Sequence, residues 1–401
     1  MDQKTRDILD DCDDVVRLLK TTFVAKDELI ELLMTCAVAQ EHLLIVGPPG
    51  TAKSELIKRF ALLCSNDQTS VNGNNVNYFE YLLTRFTEPN EIFGPVDIAA
   101  FREGRGTQRN TYGMLPHAEV AFLDEVFKAN SAILNALLTI LNERVFYNGS
   151  KRQNVPLLFA VGATNEVPDD RELFALYDRF LLRIWTDNVE ESLFPELFQR
   201  GWKLERERIA GGYGLKLANI ITTDTLRQLN RALEKVDLGL IAQQYREVIR
   251  RIRAEGIQIS DRRVVKLLKL IAASALRHKR EVADPSDFWV LRHIWNNAEQ
   301  IPHLQTILDP YVQEYQGDTW STERSLNDIQ DDLDQLETQR NRLRTDTDYV
   351  DFLQQMESLR RQLVHHSTNS DKAPVEDQAK RNTLLKRIET SINGLMQMLE
   401  H

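Results

Sequence analysis

Apolar positions in the first forty residues recur at helical spacing. Ile8, Leu9, Val15, Val16, Leu18 and Leu19 mark one face of a first helix, and Leu29, Ile30, Leu32, Leu33 and Ala37 mark a second over residues 28–39. The period then changes. Leu43-Leu44-Ile45-Val46 is an unbroken apolar run stopped by Gly47 and Pro48, which predicts a strand buried on both faces of a parallel sheet. Similar runs occupy 118–123, 157–163 and 180–185, and a helical stretch over 131–142 separates two of them. Strands alternating with helices predict an α/β fold, a parallel sheet flanked by helices. Strand signals fade after residue 190, and 222–300 reads as helical throughout, with Gly256 and Pro285 as expected breaks. Beyond residue 321, Leu326, Ile329, Leu333, Leu336 and Leu343 fall on a heptad grid with Arg340 in one core position. Leu385, Ile388, Ile392, Leu395 and Leu399 form a second seam, across a polar link at 365–374. Two antiparallel helices in a coiled-coil hairpin, or two amphipathic helices packed on the body, both satisfy this pattern. The expected divisions are 1–190 (α/β), 191–320 (all-α) and 321–401 (helical hairpin).

Composition narrows the function. The chain has 401 residues, 42% of them apolar, enough for more than one hydrophobic core. The net charge of −10 disfavours a generic nucleic-acid surface. Three cysteines, Cys12, Cys36 and Cys64, are too few for a disulfide framework and fit a reducing compartment. No signal-peptide pattern and no apolar run of ~18 residues stands in the sequence, so a cytoplasmic location without a membrane span is expected.

Three strand ends carry candidate chemistry. Gly47-Pro48-Pro49-Gly50-Thr51-Ala52-Lys53-Ser54 follows the first strand and opens an apolar-periodic helix with Leu56, Ile57 and Phe60. In that context, backbone N–H groups of the loop form a nest for phosphate oxygens and the helix N-terminus adds its positive dipole end. Lys53 can reach the β- and γ-phosphates of ATP, and Ser54 can hold Mg²⁺. Ala52 stands where the P-loop consensus has glycine, and a modest loss of loop freedom is expected there. Val120-Ala121-Phe122-Leu123-Asp124-Glu125 is an apolar strand ending in two carboxylates. Asp124 would hold Mg²⁺ through water and Glu125 would polarise the attacking water. The spacing of about 70 residues from Lys53 suits a strand neighbouring the first. Val161-Gly162-Ala163-Thr164-Asn165-Glu166 ends a further strand in an amide, Asn165, suited to the γ-phosphate or the attacking water.

In this order the residues resemble the AAA+ superfamily, more closely its MoxR family and, within that, the RavA (regulatory ATPase variant A) branch. The resemblance spans roughly 20–300. It is carried by Phe79-Glu80-Tyr81-Leu82-Leu83-Thr84-Arg85-Phe86, Glu91-Ile92-Phe93-Gly94-Pro95, Gly113-Met114-Leu115-Pro116, Leu137-Leu138-Thr139-Ile140-Leu141-Asn142-Glu143-Arg144 and Leu176-Tyr177-Asp178-Arg179-Phe180. Ala before the P-loop lysine is also RavA-like. The resemblance implies an AAA+ P-loop domain, a helical lid, and ATP sites shared between subunits of a ring, six being the family expectation. It implies sensor 1 at Asn165, an arginine finger at Arg179 that reaches a neighbouring subunit's γ-phosphate, and a sensor-2 segment at Ser260-Asp261-Arg262-Arg263, with Arg262 preferred. It further implies a β-hairpin insert over 94–113, containing Gly104, Gly106 and Gly113, and a second hairpin over 146–151 turning at Asn148-Gly149. The tail departs from the RavA pattern, having no β-rich stretch.

Function is read accordingly. The leading expectation is a MgATP hydrolase that remodels partner proteins in a chaperone-like way, with a von Willebrand factor A domain protein as partner and an unidentified client. The alternative is a nucleotide-controlled scaffold or switch with slow turnover; a nucleic-acid motor is a weaker third.

Overall fold

The computed structural model describes residues 1–64, 78–102, 107–168, 170–209 and 220–316, positions 330, 333, 334, 336, 337, 352, 356 and 363, and 375–399. The chain divides into two units, Met1–Pro310 and Tyr311–His401.

In the first unit, α1 (Gln3–Thr22) and α2 (Asp27–Ala39) precede β1 (His42–Val46). α1 is capped by Asp2, whose carboxylate accepts from the Thr5 N–H, and it buries the predicted stripe from Ile8 to Leu19. α2 is apolar on nearly every side, and ten of its thirteen residues are buried. It packs against α1, β1, α9 (Thr223–Ala232) and α11 (Asp261–Arg277). α3 (Lys53–Leu63) follows the P-loop, and β2 (Tyr78–Leu82), β3 (Val120–Asp124), β6 (Phe159–Thr164) and β7 (Phe180–Trp185) complete a sheet ordered β2-β3-β6-β1-β7. Every pairing in it is parallel. The unbroken apolar runs follow from this: β1 and β6 are buried at every residue, helices covering both faces. β6 lies between β1 and β3, so the acidic strand is one place further from the P-loop strand than the spacing suggested.

The inserted elements differ from expectation in detail. α4 (Pro89–Phe93) leads to α5 (Ile98–Arg102), so the 94–113 segment holds a helical turn within an otherwise antiparallel pair of arms. Those arms touch at one bridge, Val96 to Arg109, flanked by N–H···O bonds from Asp97 to Gln108 and from Asn110 to Pro95. Gly104 and Gly106 lie outside the described residues. α6 (Ser131–Glu143) joins β3 to the hairpin β4 (Val145–Asn148) and β5 (Lys151–Asn154). Asn148 pairs with Lys151, so the turn is Gly149-Ser150, one residue later than expected. Gly149 has φ +63°, and a Cβ there would lie 2.3 Å from the Thr107 carbonyl oxygen. Turn geometry and close approach both require glycine, while Asn148 is freed to bond Arg109 N–H and carbonyl (2.6 and 3.0 Å).

After α7 (Arg171–Tyr177) and β7 the unit is helical: α8 (Phe194–Ile209), α9, α10 (Ala242–Ala254), α11 and the part of α12 (Ile301–Gln316) up to Pro310. Pro285 marks an expected break: α11 ends at Arg277, and Pro285 opens a 3-10 stretch, Pro285–His293, capped by Asp284. The lid is fastened by buried ions. Arg277 pairs with Glu31 of α2 and lies 3.6 Å from Asp13; Glu41, before β1, pairs with Lys266 at 2.8 Å. Two further arginines, Arg183 and Arg263, fasten β7 to residues 294–296: Arg183 donates to Trp295 O (2.6 Å) and Arg263 to Ile294 O (3.0 Å).

In the second unit, α13 (Val375–Leu399) carries the second predicted seam. Leu333, Leu336 and Ile388 share a core as expected, with Leu385 packed against it, but Leu384, Phe352, Met356 and Leu363, none of them in the predicted seams, join the same core. Phe352, Met356 and Leu363 are helical and lie before the expected link, but off the predicted heptad seam, so that seam is incomplete. Leu326, Ile329, Arg340, Leu343 and the 365–374 link lie outside the described residues. Among the described residues no helix is long and apolar enough to cross a membrane.

Candidate nucleotide site

β1 stops at Val46 and the chain turns through the P-loop into α3. Gly47 N–H donates to Thr164 O (3.1 Å) and Thr186 N–H to Val46 O (2.8 Å), fixing the start of the loop against the ends of β6 and β7. A Cβ at Gly47 would lie 1.9 Å from the Thr186 carbonyl oxygen, so no side chain fits there. Ala52 caps α3 at φ +60°, ψ +21°. The departure from glycine therefore costs more than loop freedom: a β-carbon in the left-handed region costs roughly 1–2 kcal/mol.

Lys53 is 8% exposed, and its Nζ donates to Gly47 O (2.6 Å) and Pro48 O (3.1 Å). Burial lowers its pKa, opposed by the nearby carboxylates of Asp124 and Glu125. Asp124 ends β3 and accepts the Glu125 N–H at 3.0 Å; burial raises its pKa, with the Glu125 charge adding to the effect. Glu125 takes φ +52°, which turns its side chain off the strand line. Its Oε1 accepts from Asn165 Nδ2 at 2.5 Å, and Lys128 Nζ lies 3.2 Å away. Its Oε2 is buried and has no hydrogen-bond partner among the described residues.

These residues share a cavity of about 1110 Å³ with Pro49 to Ser54. Its other walls come from places the sequence reading did not single out. The α1–α2 junction gives Phe23, Val24 and Lys26; the chain after β7 gives Asp187 to Val189; α8 gives Leu197, Arg200, Gly201 and Leu204. Lys26 is 7% exposed, its Nζ donates to Asp187 O (3.0 Å), and burial lowers its pKa. α8 is held over the cavity by Arg200, which donates to Lys20 O (2.6 Å) and Phe23 O (3.1 Å). It is also tied to α3: Arg59 bonds Glu55 (2.7 Å) and Glu207 (3.3 Å). The spacing of Leu197, Gly201 and Leu204 on one helical face was the available signal for this wall.

The cavity thus has an apolar end and an end lined by P-loop backbone, Lys53 and carboxylates, the division a nucleotide triphosphate requires. The donor set fits Mg²⁺: the Ser54 hydroxyl and the Asp124 carboxylate are hard oxygen ligands in one cavity. Among the described residues no cluster of three or more His, Cys, Asp or Glu could hold a metal alone.

Arg179 and Arg262 are not part of this cavity. Arg179 immediately precedes Phe180, which pairs with His42 at the start of β1, whereas the P-loop follows the other end. Five strand steps separate the two ends, about 16 Å. Arg179 is next to Arg262: burial lowers the Arg179 pKa and the Arg262 charge lowers it further. Arg262 bonds Asn142 at the C-terminal end of α6, while its neighbour Arg263 is 2% exposed and consumed by lid carbonyls and Asp178 (3.6 Å).

The family model for the MoxR domain of MoxR-vWA-beta-propeller ternary systems matches residues 10–231, and an AAA lid domain model matches 237–308. Uncharacterized protein MJ0812 of Methanocaldococcus jannaschii is 35% identical over 326 residues, 81% of this chain and 82% of the relative. Chaperone MoxR1 of Mycobacterium tuberculosis is 26% identical over 170 residues, 41% of each chain. A crystal structure of a candidate ATPase from Cytophaga hutchinsonii superposes with a TM-score of 0.59 at 18% identity, covering 78% of this chain and 96% of that one, a likeness of fold. With a P-loop strand, an acidic strand and a matched lid in one unit, the chain belongs to the MoxR family of AAA+ ATPases.

Proposed function

We propose that this chain hydrolyses MgATP at sites shared between copies in a ring, expected to be a hexamer, and uses the motion to remodel partner proteins in the cytoplasm. The observation that carries this reading is the placement of the arginines. Lys53, Ser54, Asp124, Glu125 and Asn165 gather at one end of the sheet, and Arg179 and Arg262 lie at the other. A guanidinium cannot cross ~16 Å of sheet, so it serves the γ-phosphate of another copy or none. In this reading the P-loop amides and Lys53 hold the phosphates. Ser54 and Asp124 would hold Mg²⁺, which would supply positive charge to offset the negative charge of the phosphates. Glu125 orients water, and Asn165 fixes Glu125. Arg179 and Arg262 of a neighbouring copy neutralise charge as it spreads over the γ-phosphoryl oxygens.

A von Willebrand factor A domain partner is supported by the description of the matched family model, and chaperone-like work by the relative named a chaperone. RavA-like residues such as Ala52 support the same motor chemistry. The alternative is a nucleotide-controlled scaffold or switch with slow turnover. ATPase rate measured against protein concentration, with light scattering in MgATP, tests the reading. Wild-type rate per subunit rises as rings form. Glu125→Gln assembles without turnover, and Arg179→Ala binds ATP but loses at least ~10²-fold in rate. A rate independent of concentration with a silent Arg179→Ala overturns the shared site.

A further inference from the structure

We propose that Lys128 is a positioning residue for ATP hydrolysis: together with Asn165 it pins one oxygen of Glu125, which leaves the other bare as the base. The inference rests on Glu125 being the group that takes the water proton. Glu125 opens a 3-10 turn, Val126–Lys128, closed by the Lys128 N–H donating to Glu125 O at 2.9 Å. That turn brings the Lys128 ammonium back over the carboxylate it follows by three residues. Both donors reach the same atom, Oε1, Asn165 from β6 at 2.5 Å and Lys128 at 3.2 Å. Oε2 is buried without a hydrogen-bond donor among the described residues. The remaining charges facing this carboxylate are Asp124 and Lys53.

The asymmetry has a chemical use. When water attacks, its oxygen bonds the γ-phosphorus, the bond from that phosphorus to the β–γ bridging oxygen breaks, and ADP leaves with the electron pair. The water proton goes to Glu125. A carboxylate free to turn is a less directed acceptor than one held by Oε1 with Oε2 free. Asn165 alone leaves rotation about that single bond; Lys128 supplies the second point.

The Lys128 side chain is 58% exposed, so its contribution is modest and can be screened by salt. The test uses the full chain at concentrations where rings are complete by light scattering. Lys128→Met is expected to lower kcat about 3–5-fold with KM for ATP unchanged, and Lys128→Arg to recover most of the rate. Raising KCl from about 0.05 to 0.5 M should bring wild type down toward Lys128→Met while the variant itself changes little. A wild-type kcat in Lys128→Met, or a parallel salt dependence in both proteins, overturns the proposal. Glu125→Gln is measured alongside: if it keeps full activity, the assignment of Glu125 fails first, and this inference falls with it.

Discussion

Glu31 offers a test of how the lid is held to the nucleotide-binding body. Its carboxylate, 15% exposed on α2, sits between Arg277 of α11 and Lys20 of α1. Burial alone would raise its pKa, but the Arg277 and Lys20 charges overcome that and bring it down to about 2 from 4.5. A folded-state pKa below the unfolded one means stability that is present above pH 4.5 and lost as pH falls through 2. The shift corresponds to about 3 kcal/mol, with about half of it gone near pH 3. The perturbation is Glu31→Gln. It also strands the Arg277 guanidinium, which adds a penalty that does not depend on pH, so the pH-dependent part of the difference is the informative one. Urea unfolding followed by the buried indoles Trp289 and Trp295 reports on the lid. The gap between wild type and Glu31→Gln should be largest at pH 7 and narrow by more than ~1 kcal/mol between pH 5 and pH 3. A gap constant across that range would refute the electrostatic account of the clasp and leave only packing.

Two further outcomes follow from the site. Ala52→Gly removes the β-carbon from a left-handed position and should stabilise the first unit by about 1 kcal/mol, raising its Tm by about 2 °C in calorimetry. An unchanged or lower Tm would mean the loop relieves the strain elsewhere. Asn165→Ala removes a charge-assisted donor from Glu125 and should lower kcat by about 10–100-fold while a fluorescent ATP analogue still binds in titration. Loss of binding instead would place Asn165 on the ground-state nucleotide.

Much of the site was readable because its residues lie at strand ends. A buried parallel strand writes an unbroken apolar run, and the polar residue that ends it stands at the edge where ligands bind. Asp124, Glu125 and Asn165 are legible in this way, and Lys53 through the P-loop motif that follows such a run. The strand order was not readable, since nothing in the β3 pattern tells it that β6 intervenes before β1. Lys26 and Arg183, and the buried role of Arg263, escaped for a related reason. A buried cation is indistinguishable in sequence from a solvated one until the carbonyls it meets are known, and those come from residues 187 and 294–296. His42 is similar: its Nδ1 accepts the Ala160 N–H at 2.9 Å, tying β1 to β6 from inside a strand whose pattern only says buried. The hairpin turn slipped by one residue because Asn148-Gly149 is the usual local signal, while the Asn148 side chain is taken by Arg109, 39 residues away. In the second unit the heptad grid points to Leu333, Leu336 and Ile388, which are buried, but it places Leu385 in the seam where its neighbour Leu384 is the buried residue, and it could not announce that Phe352, Met356 and Leu363 close the same core.

The central claim is that each ATP site is completed by a second copy, and mixing two inactive variants tests it most directly. Glu125→Gln keeps Arg179 and Arg262 but cannot direct water; Arg179→Ala keeps the whole P-loop site but lacks the guanidinium. Each alone should be nearly inactive. Co-refolded at equal amounts into rings, they should regain about a quarter of the wild-type rate, the share of junctions that combine an intact Glu125 with an intact Arg179. A mixture no more active than its two components would contradict the shared site and confine the arginines to a structural role.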